Sequence, residues 1–253
     1  MSSHYIEFQN VSKAFGDHRV LDGISFYADP GETLVILGRS GVGKSVTLDH
    51  IMGFLKPDSG RVWVAGEDIT GYGETELQRI RSKVTMVFQS GALFDSLTIF
   101  ENVAFPLRER SGWTEENIEE IVFGLLDMLE IRELADLLPA ELSTGMKRAA
   151  AIARALAARP EAILYDEPTT MVDPLMSQHI VELIGRLKRQ LRLTSVVVTH
   201  DTRLAKKVAD RMVYLENGQV TFFGTVEELA ACTDAQVQEF FREDEIMTVA
   251  GGG

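Results

Sequence analysis

"TLVILGRSGVGKSVTLDHIMGFL", Thr33 to Leu55, decides how the rest of the chain is read. TLVILG (33–38) is a continuous apolar run of strand length, the pattern of a strand covered on both faces. KSVTLDHIMGFL (44–55) then reads as a helix. Between them lies GRSGVGKS: Gly38, Arg39, Ser40, Gly41, Val42, Gly43, Lys44 and Ser45. It fits G-x-x-x-x-G-K-[ST] in the strand–loop–helix setting that gives the pattern its meaning. Glycines let backbone N–H groups close around phosphate oxygens, and a helix N-terminus adds positive potential. Lys44 is placed to reach the β- and γ-phosphates, and the Ser45 hydroxyl suits Mg²⁺, with Val46 beside it. A nucleoside triphosphate with Mg²⁺ is the expected ligand.

Working outward, short β-rich runs alternate with helical patterns. YIEFQNV (5–11) and RVLDGISFYA (19–28) read as strands joined at Gly16-Asp17, and RVWVA (61–65) as another. VTMVF (84–88), AILYD (162–166) and SVVVT (195–199) are buried runs of the kind found in parallel sheets. Between 90 and 159 the strand signal vanishes, and 116–130 and 146–157 carry apolar residues at helical spacing. RMVYLENGQVTFFG (211–224) has the Asn-Gly pair of a hairpin. The fold class expected is α/β: a parallel-sheet core with an antiparallel β subdomain and a helical insertion. The core takes 1–89 and 160–224, the helical part 90–159, and a helical tail 225–253. In that tail Val237, Phe240 and Phe241 share a face that is expected to pack on its own domain. Gly251, Gly252 and Gly253 read as disordered.

Composition narrows the partners. The 253 residues hold 45% hydrophobic and 25% charged side chains, ordinary globular values, with a formal net charge of -13. That balance speaks against gripping a nucleic-acid backbone. The single cysteine, Cys232, leaves no pair for an internal disulfide and no cysteine zinc site. MSSHYIEFQN lacks the layout of a signal peptide, and no apolar stretch approaches the ~20 residues of a membrane-spanning helix.

AILYDEPTT supplies the second half of a phosphate-transfer site. Asp166 at a strand end suits Mg²⁺ coordination through water, and Glu167 beside it suits orienting or deprotonating an attacking water. His200, just past SVVVT, stands where it can meet a γ-phosphate.

ELSTGMKRAAAIARALAARPEAILYDEPTTMVD (141–173) resembles the signature-to-Walker-B segment of ATP-binding cassette (ABC) ATPases, with LSTGM where LSGGQ is usual. Gln89 then matches the Q-loop, Thr170-Met171-Val172-Asp173 the D-loop and His200 the switch histidine. The resemblance runs from about residue 5 to about residue 225, with its motifs in family order. It implies a RecA-like P-loop NTPase core and a homodimer that sandwiches ATP between one phosphate loop and the partner's signature. Ser143 and Gly145 are then expected to meet the γ-phosphate in trans, from a helix beginning near Met146. Glu167 becomes the general base or water-orienter, and His200 and Gln89 complete the γ-phosphate and Mg²⁺ surroundings. Asp173 joins the nucleotide site, and Phe15 matches the aromatic that stacks on adenine. Thr144 departs from the pattern, where glycine is usual. Either its backbone is in an allowed region or the trans site is weakened.

The stretch FQSGALFDSLTIFENVAFPLRE (88–109) is unusually apolar for a surface segment. In ABC transporters this region receives a coupling helix of the membrane-spanning partner. Ala92, Leu93, Phe94, Leu97, Ile99, Phe100, Val103, Phe105 and Leu107 would supply the docking surface, with Pro106 fixing the chain direction. Its wording looks like that of the Mla/Mkl-type ATPases of MCE lipid-transport systems. That likeness implies multi-span permease subunits, an MCE-type lipid-binding protein, in some systems a small STAS-domain protein, and a place at the cytoplasmic face of a bacterial inner membrane. An importer ATPase for amino acids or another polar solute shares every nucleotide motif. A soluble, non-transport ABC ATPase is the alternative of another class.

Overall fold

Two sheets of different character divide the chain. The computed structural model describes residues 2–110 and 112–250. The first sheet is antiparallel, in the order β2-β1-β4-β5, from β1 (Ile6–Phe15), β2 (His18–Ala28), β4 (Ser59–Val64) and β5 (Glu67–Asp68). The second has the order β10-β9-β3-β8-β7-β6. Its strands are β3 (Thr33–Leu37), β6 (Val84–Val87), β7 (Ala162–Asp166), β8 (Thr194–Thr199), β9 (Arg211–Glu216) and β10 (Gln219–Thr225). All neighbours in it pair in parallel except β10, which returns antiparallel along β9. That return is made at Asn217 (φ 49) and Gly218 (φ 77), the left-handed pair an Asn-Gly hairpin demands.

The apolar runs of the central strands work because both their faces are covered. Leu34, Ile36, Val196 and Val198 pack with Ile6, Phe8, Leu48 and Ile51 under the antiparallel sheet and α1 (Lys44–Ile51). Val35, Leu37, Ile163, Tyr165 and Val197 face the other way, into a core built largely by helices. Those helices include α3 (Ile99–Arg108), α4 (Glu115–Met128) and α5 (Thr144–Ala157), all between β6 and β7. The others are α6 (Pro174–Leu191), α7 (Thr202–Val208), α8 (Val226–Ala230) and α9 (Ala235–Ala250), while α2 (Glu74–Arg81) precedes β6. No strand occurs among the described residues between β6 and β7.

Several boundaries differ from the sequence reading. The first helix stops at Ile51, not Leu55, because Gly53 turns left-handed at φ 68. β1 runs on to Phe15, pairing it with His18 across the Gly16-Asp17 turn. α5 starts two residues before Met146, with the Ser143 hydroxyl accepting the Met146 N–H at 3.3 Å. Pro106 lies inside α3, in its last turn. That helix is set by a capping box: Thr98 Oγ1 accepts from Glu101 N at 3.2 Å, and Glu101 Oε2 accepts from Thr98 N at 2.7 Å. In the tail, Val237 and Phe240 are buried, and the Phe240 ring lies 5.0 Å from that of Tyr214. Gly251, Gly252 and Gly253 lie outside the described residues.

Candidate functional site

The loop after β3 is shaped by its glycines. Gly43 caps α1 at φ 104, and a Cβ there would meet Leu21 Cδ2 at 2.8 Å. Gly38 is tighter still, since a Cβ would lie 2.5 Å from the Leu215 carbonyl oxygen. No side chain caps α1, so the free N–H groups of its first turn are left to an incoming anion. Lys44 is folded back into the loop, its Nζ donating to the carbonyls of Gly38 at 2.8 Å and Arg39 at 3.1 Å. Ser45 Oγ donates to Asp166 Oδ1 at 3.0 Å. The hydroxyl and carboxylate suited to Mg²⁺ therefore stand side by side, a hard oxygen set that fits that ion.

Glu167 follows the last residue of β7 and takes a left-handed φ of 45. Its N–H is held by the Val198 carbonyl at 3.0 Å, which seats the turn against the neighbouring strand β8. Lys44 Nζ lies 3.1 Å from Oε1. Oε2 accepts from Thr170 Oγ1 at 3.0 Å and lies 2.9 Å from His200 Nδ1. Burial alone would push this carboxyl up, but the His200 hydrogen bond and the Lys44 charge outweigh it and hold the group below its usual range. The same hydrogen bond, against partial burial, raises the imidazole of His200. Asp166 is pushed up, chiefly by burial.

Lys44, Ser45, Glu167 and His200 line an open cleft of about 460 Å³ with Phe15, Ser40, Gly41, Gly43, Val46 and Gln89; Asp166, bonded to Ser45, is not among the lining residues. Gly38 and Arg39 contribute carbonyls behind Lys44, and Val42 packs toward the antiparallel sheet. Phe15, 48% exposed, offers a free ring face at the cleft mouth, with Lys13 Nζ 5.7 Å from its centroid. His18, Val20 and Thr170 also line the cleft, although sequence reasoning had not marked them as contributors to it. The signal for His18 was available, because a two-residue turn at Gly16-Asp17 puts it opposite Phe15.

Ser143, Gly145 and Asp173 are not among the lining residues of this cleft. Ser143 caps α5, and Asp173 caps α6 by accepting the Met176 N–H at 3.0 Å. Gly145 is required by close approach, as a Cβ would stand 2.8 Å from Met176 Cε. Thr144 is the first residue of α5 and has no left-handed φ. The concern about a β-branched residue there disappears: its backbone is in ordinary helical space.

The apolar stretch 88–109 splits into two populations. Ile99, Val103 and Leu107 are fully buried core residues and cannot dock anything. Leu93 and Phe100 pack partly against the same core. Phe94 and Phe105 are exposed, their ring centroids 4.8 Å apart, and Ala92 and Leu97 stay at least partly accessible. The loop carrying Phe94 is fixed from below by Asn102, which is wholly buried. Its Oδ1 accepts the Phe94 N–H at 2.8 Å, and its Nδ2 donates to the carbonyls of Phe94 and Leu97 at 3.1 and 3.0 Å.

A glycine-cradled lysine, a Ser–Asp pair and a histidine-held glutamate around one cleft make a nucleotide-hydrolysing cassette. The family model for the ABC transporter matches residues 21–170, and the chain belongs to that family as an ATP-binding, ATP-hydrolysing transporter subunit. It is 39% identical over 242 residues to the intermembrane phospholipid transport system ATP-binding protein MlaF of Haemophilus influenzae, covering 96% of this chain and 92% of that protein. It is also 39% identical, over 211 residues, to the methionine import ATP-binding protein MetN of Carboxydothermus hydrogenoformans, covering 83% and 62%. Among solved structures, the dimeric ATP-binding cassette MJ0796 in a post-hydrolysis state with ADP and Pi superposes with a TM-score of 0.80. That match has 33% identity and covers 87% of this chain and 98% of the other.

Proposed function

We propose that this chain is the ATPase of a bacterial phospholipid-transport system of the MCE/Mla type. The observation that carries this is the likeness to MlaF, which extends over 96% of this chain and 92% of that protein. MetN matches with equal identity but over only 62% of its own length. A polar-solute importer is therefore the second reading. The kinship with transporter subunits sets the soluble, non-transport reading aside.

Two copies close on two ATP molecules, as supported by the dimeric cassette of similar fold. In each site Phe15 stacks on the base, and the loop N–H groups with Lys44 hold the phosphates. Ser45, Asp166 and Gln89 hold Mg²⁺, which draws charge from the phosphate oxygens when bound. Glu167 orients the attacking water and accepts its proton. His200 holds Glu167 in place and faces the γ-phosphate. Ser143 and Gly145 reach that phosphate from the second copy, and Asp173 fixes the start of α6 beside them. Phe94 and Phe105 receive a helix of the permease. Through that contact the chain sits at the cytoplasmic face of the inner membrane; among the described residues no helix is long and apolar enough to cross a membrane.

The test is purification of the tagged chain from its native membranes in mild detergent, with identification of co-purifying proteins and lipid. A multi-span permease, an MCE protein and bound phospholipid support the reading. A permease with a soluble solute receptor and no lipid transfers it to the importer.

A further inference from the structure

Phe88 to Gly91 form a turn closed by the bond from the Gly91 N–H to the Phe88 carbonyl at 2.9 Å. Gln89 stands inside that turn, exposed on the cleft, and its side chain has no hydrogen-bond partner among the described residues. Its reach is therefore set by its backbone. Both ends of the turn are tied to α5. Arg148 donates from Nη1 to the Phe88 carbonyl, and Arg154 donates from Nη2 to the Gly91 carbonyl at 3.2 Å. Gly91 packs against α5 and takes a left-handed φ of 81, a backbone conformation that favours glycine.

Arg148 is an expensive way to fill this space. It is 1% exposed, and its Nε finds no partner among the described residues. Burying a charge without a full set of partners costs stability, and well-packed apolar replacements of buried charged groups are often neutral or stabilising. What an apolar side chain cannot supply is a donor to the carbonyl one residue before Gln89. We infer that Arg148 is a positioning residue for hydrolysis: by holding the Phe88 carbonyl to α5, it sets where Gln89 stands at the phosphate end of the cleft. Because α5 begins at Thr144, just after the Ser143 cap, any shift of that helix start carries Gln89 with it. This inference rests on the role proposed above for Gln89.

A double-mutant cycle on the full chain tests it, with kcat and KM for ATP measured for Gln89→Ala, Arg148→Met, Arg148→Lys and the paired variants. Arg148→Met is expected to lower kcat by about tenfold while KM stays within about twofold, the split left by a lost transition-state contact. Arg148→Lys, which keeps a donor, recovers part of the rate. In the Gln89→Ala background neither arginine variant lowers kcat further, since residues acting through one another are not additive. If Arg148→Met fails to fold, Arg148→Lys carries the same cycle. Independent, multiplying losses, or an unchanged kcat in the arginine variants, overturn the inference. A normal kcat in Gln89→Ala alone instead removes the role proposed for Gln89.

Discussion

His200 Nδ1 lies 2.9 Å from Glu167 Oε2, while Lys44 Nζ lies 3.1 Å from the other oxygen of the same carboxylate. Two groups that border the phosphate end of the cleft thus hold Glu167 ionised, the state that a water-orienting base needs. Lys44 is engaged with Glu167 and two loop carbonyls. An incoming triphosphate has to draw that ammonium away, which leaves Glu167 its histidine and threonine partners.

Glu167→Gln should retain ATP binding and lose turnover by at least about 10²-fold, the scale of a missing general base. Binding is read by calorimetry and turnover by phosphate release. Brisk hydrolysis by this variant would count against the role given to Glu167.

The same pair has a pH signature. Glu167 stands below and His200 above their ordinary values of 4.5 and 6.5. The His200 share of stability is full below 6.5 and is lost as pH rises through its raised folded value. The Glu167 share is full above 4.5 and is lost as pH falls through its lowered one. His200→Ala should therefore cost most in Tm between those two ordinary values and less toward alkaline pH. In Glu167→Gln the His200 midpoint, followed by NMR, should move down, because its main raising partner is gone.

Lys44→Ala should weaken ATP binding by at least about tenfold, since a charge-assisted contact is worth about 1.5–3 kcal/mol. Unchanged affinity in calorimetry would remove Lys44 from phosphate binding.

Much of this site could be read before any coordinates, for a physical reason. Continuous buried runs such as Leu34 to Leu37 and Ile163 to Tyr165 belong to strands covered on both faces, and the glycine loop between strand and helix has few other uses. Faces of helices were harder. Ile99, Val103 and Leu107 look no different in sequence from Phe105 on the same helix. Only the packing of α3 on α4 and α5 decides which side is open. The Thr144 question likewise turned on where α5 begins, a boundary set by the Ser143 cap.

Thr144→Gly tests that last point. The site already has helical geometry, so restoring the usual glycine should not raise the ATPase rate and should cost about 0.5 kcal/mol of stability through lost helix preference. Gly145→Ala, by contrast, forces Met176 to move and should lower both Tm and turnover. Tm by calorimetry and kcat by phosphate release separate the two.

Phe94→Asp and Phe105→Asp should release the chain from its membrane partner while leaving ATP binding intact, because both rings are exposed. Val103→Asp places an unpaired charge in the core and should abolish folding. Retained assembly by both phenylalanine variants, in the same mild-detergent purification, would return those rings to a local packing role.

ATP hydrolysis at Glu167 is expected to move phospholipid. The most direct measurement uses the complex that co-purifies with this chain, rebuilt in vesicles carrying a labelled phospholipid. With wild-type chain and ATP, label should pass between the membrane and the lipid-binding partner. With Glu167→Gln it should not. ATP-driven accumulation of a polar solute, with no movement of lipid, would instead make this chain the motor of an importer.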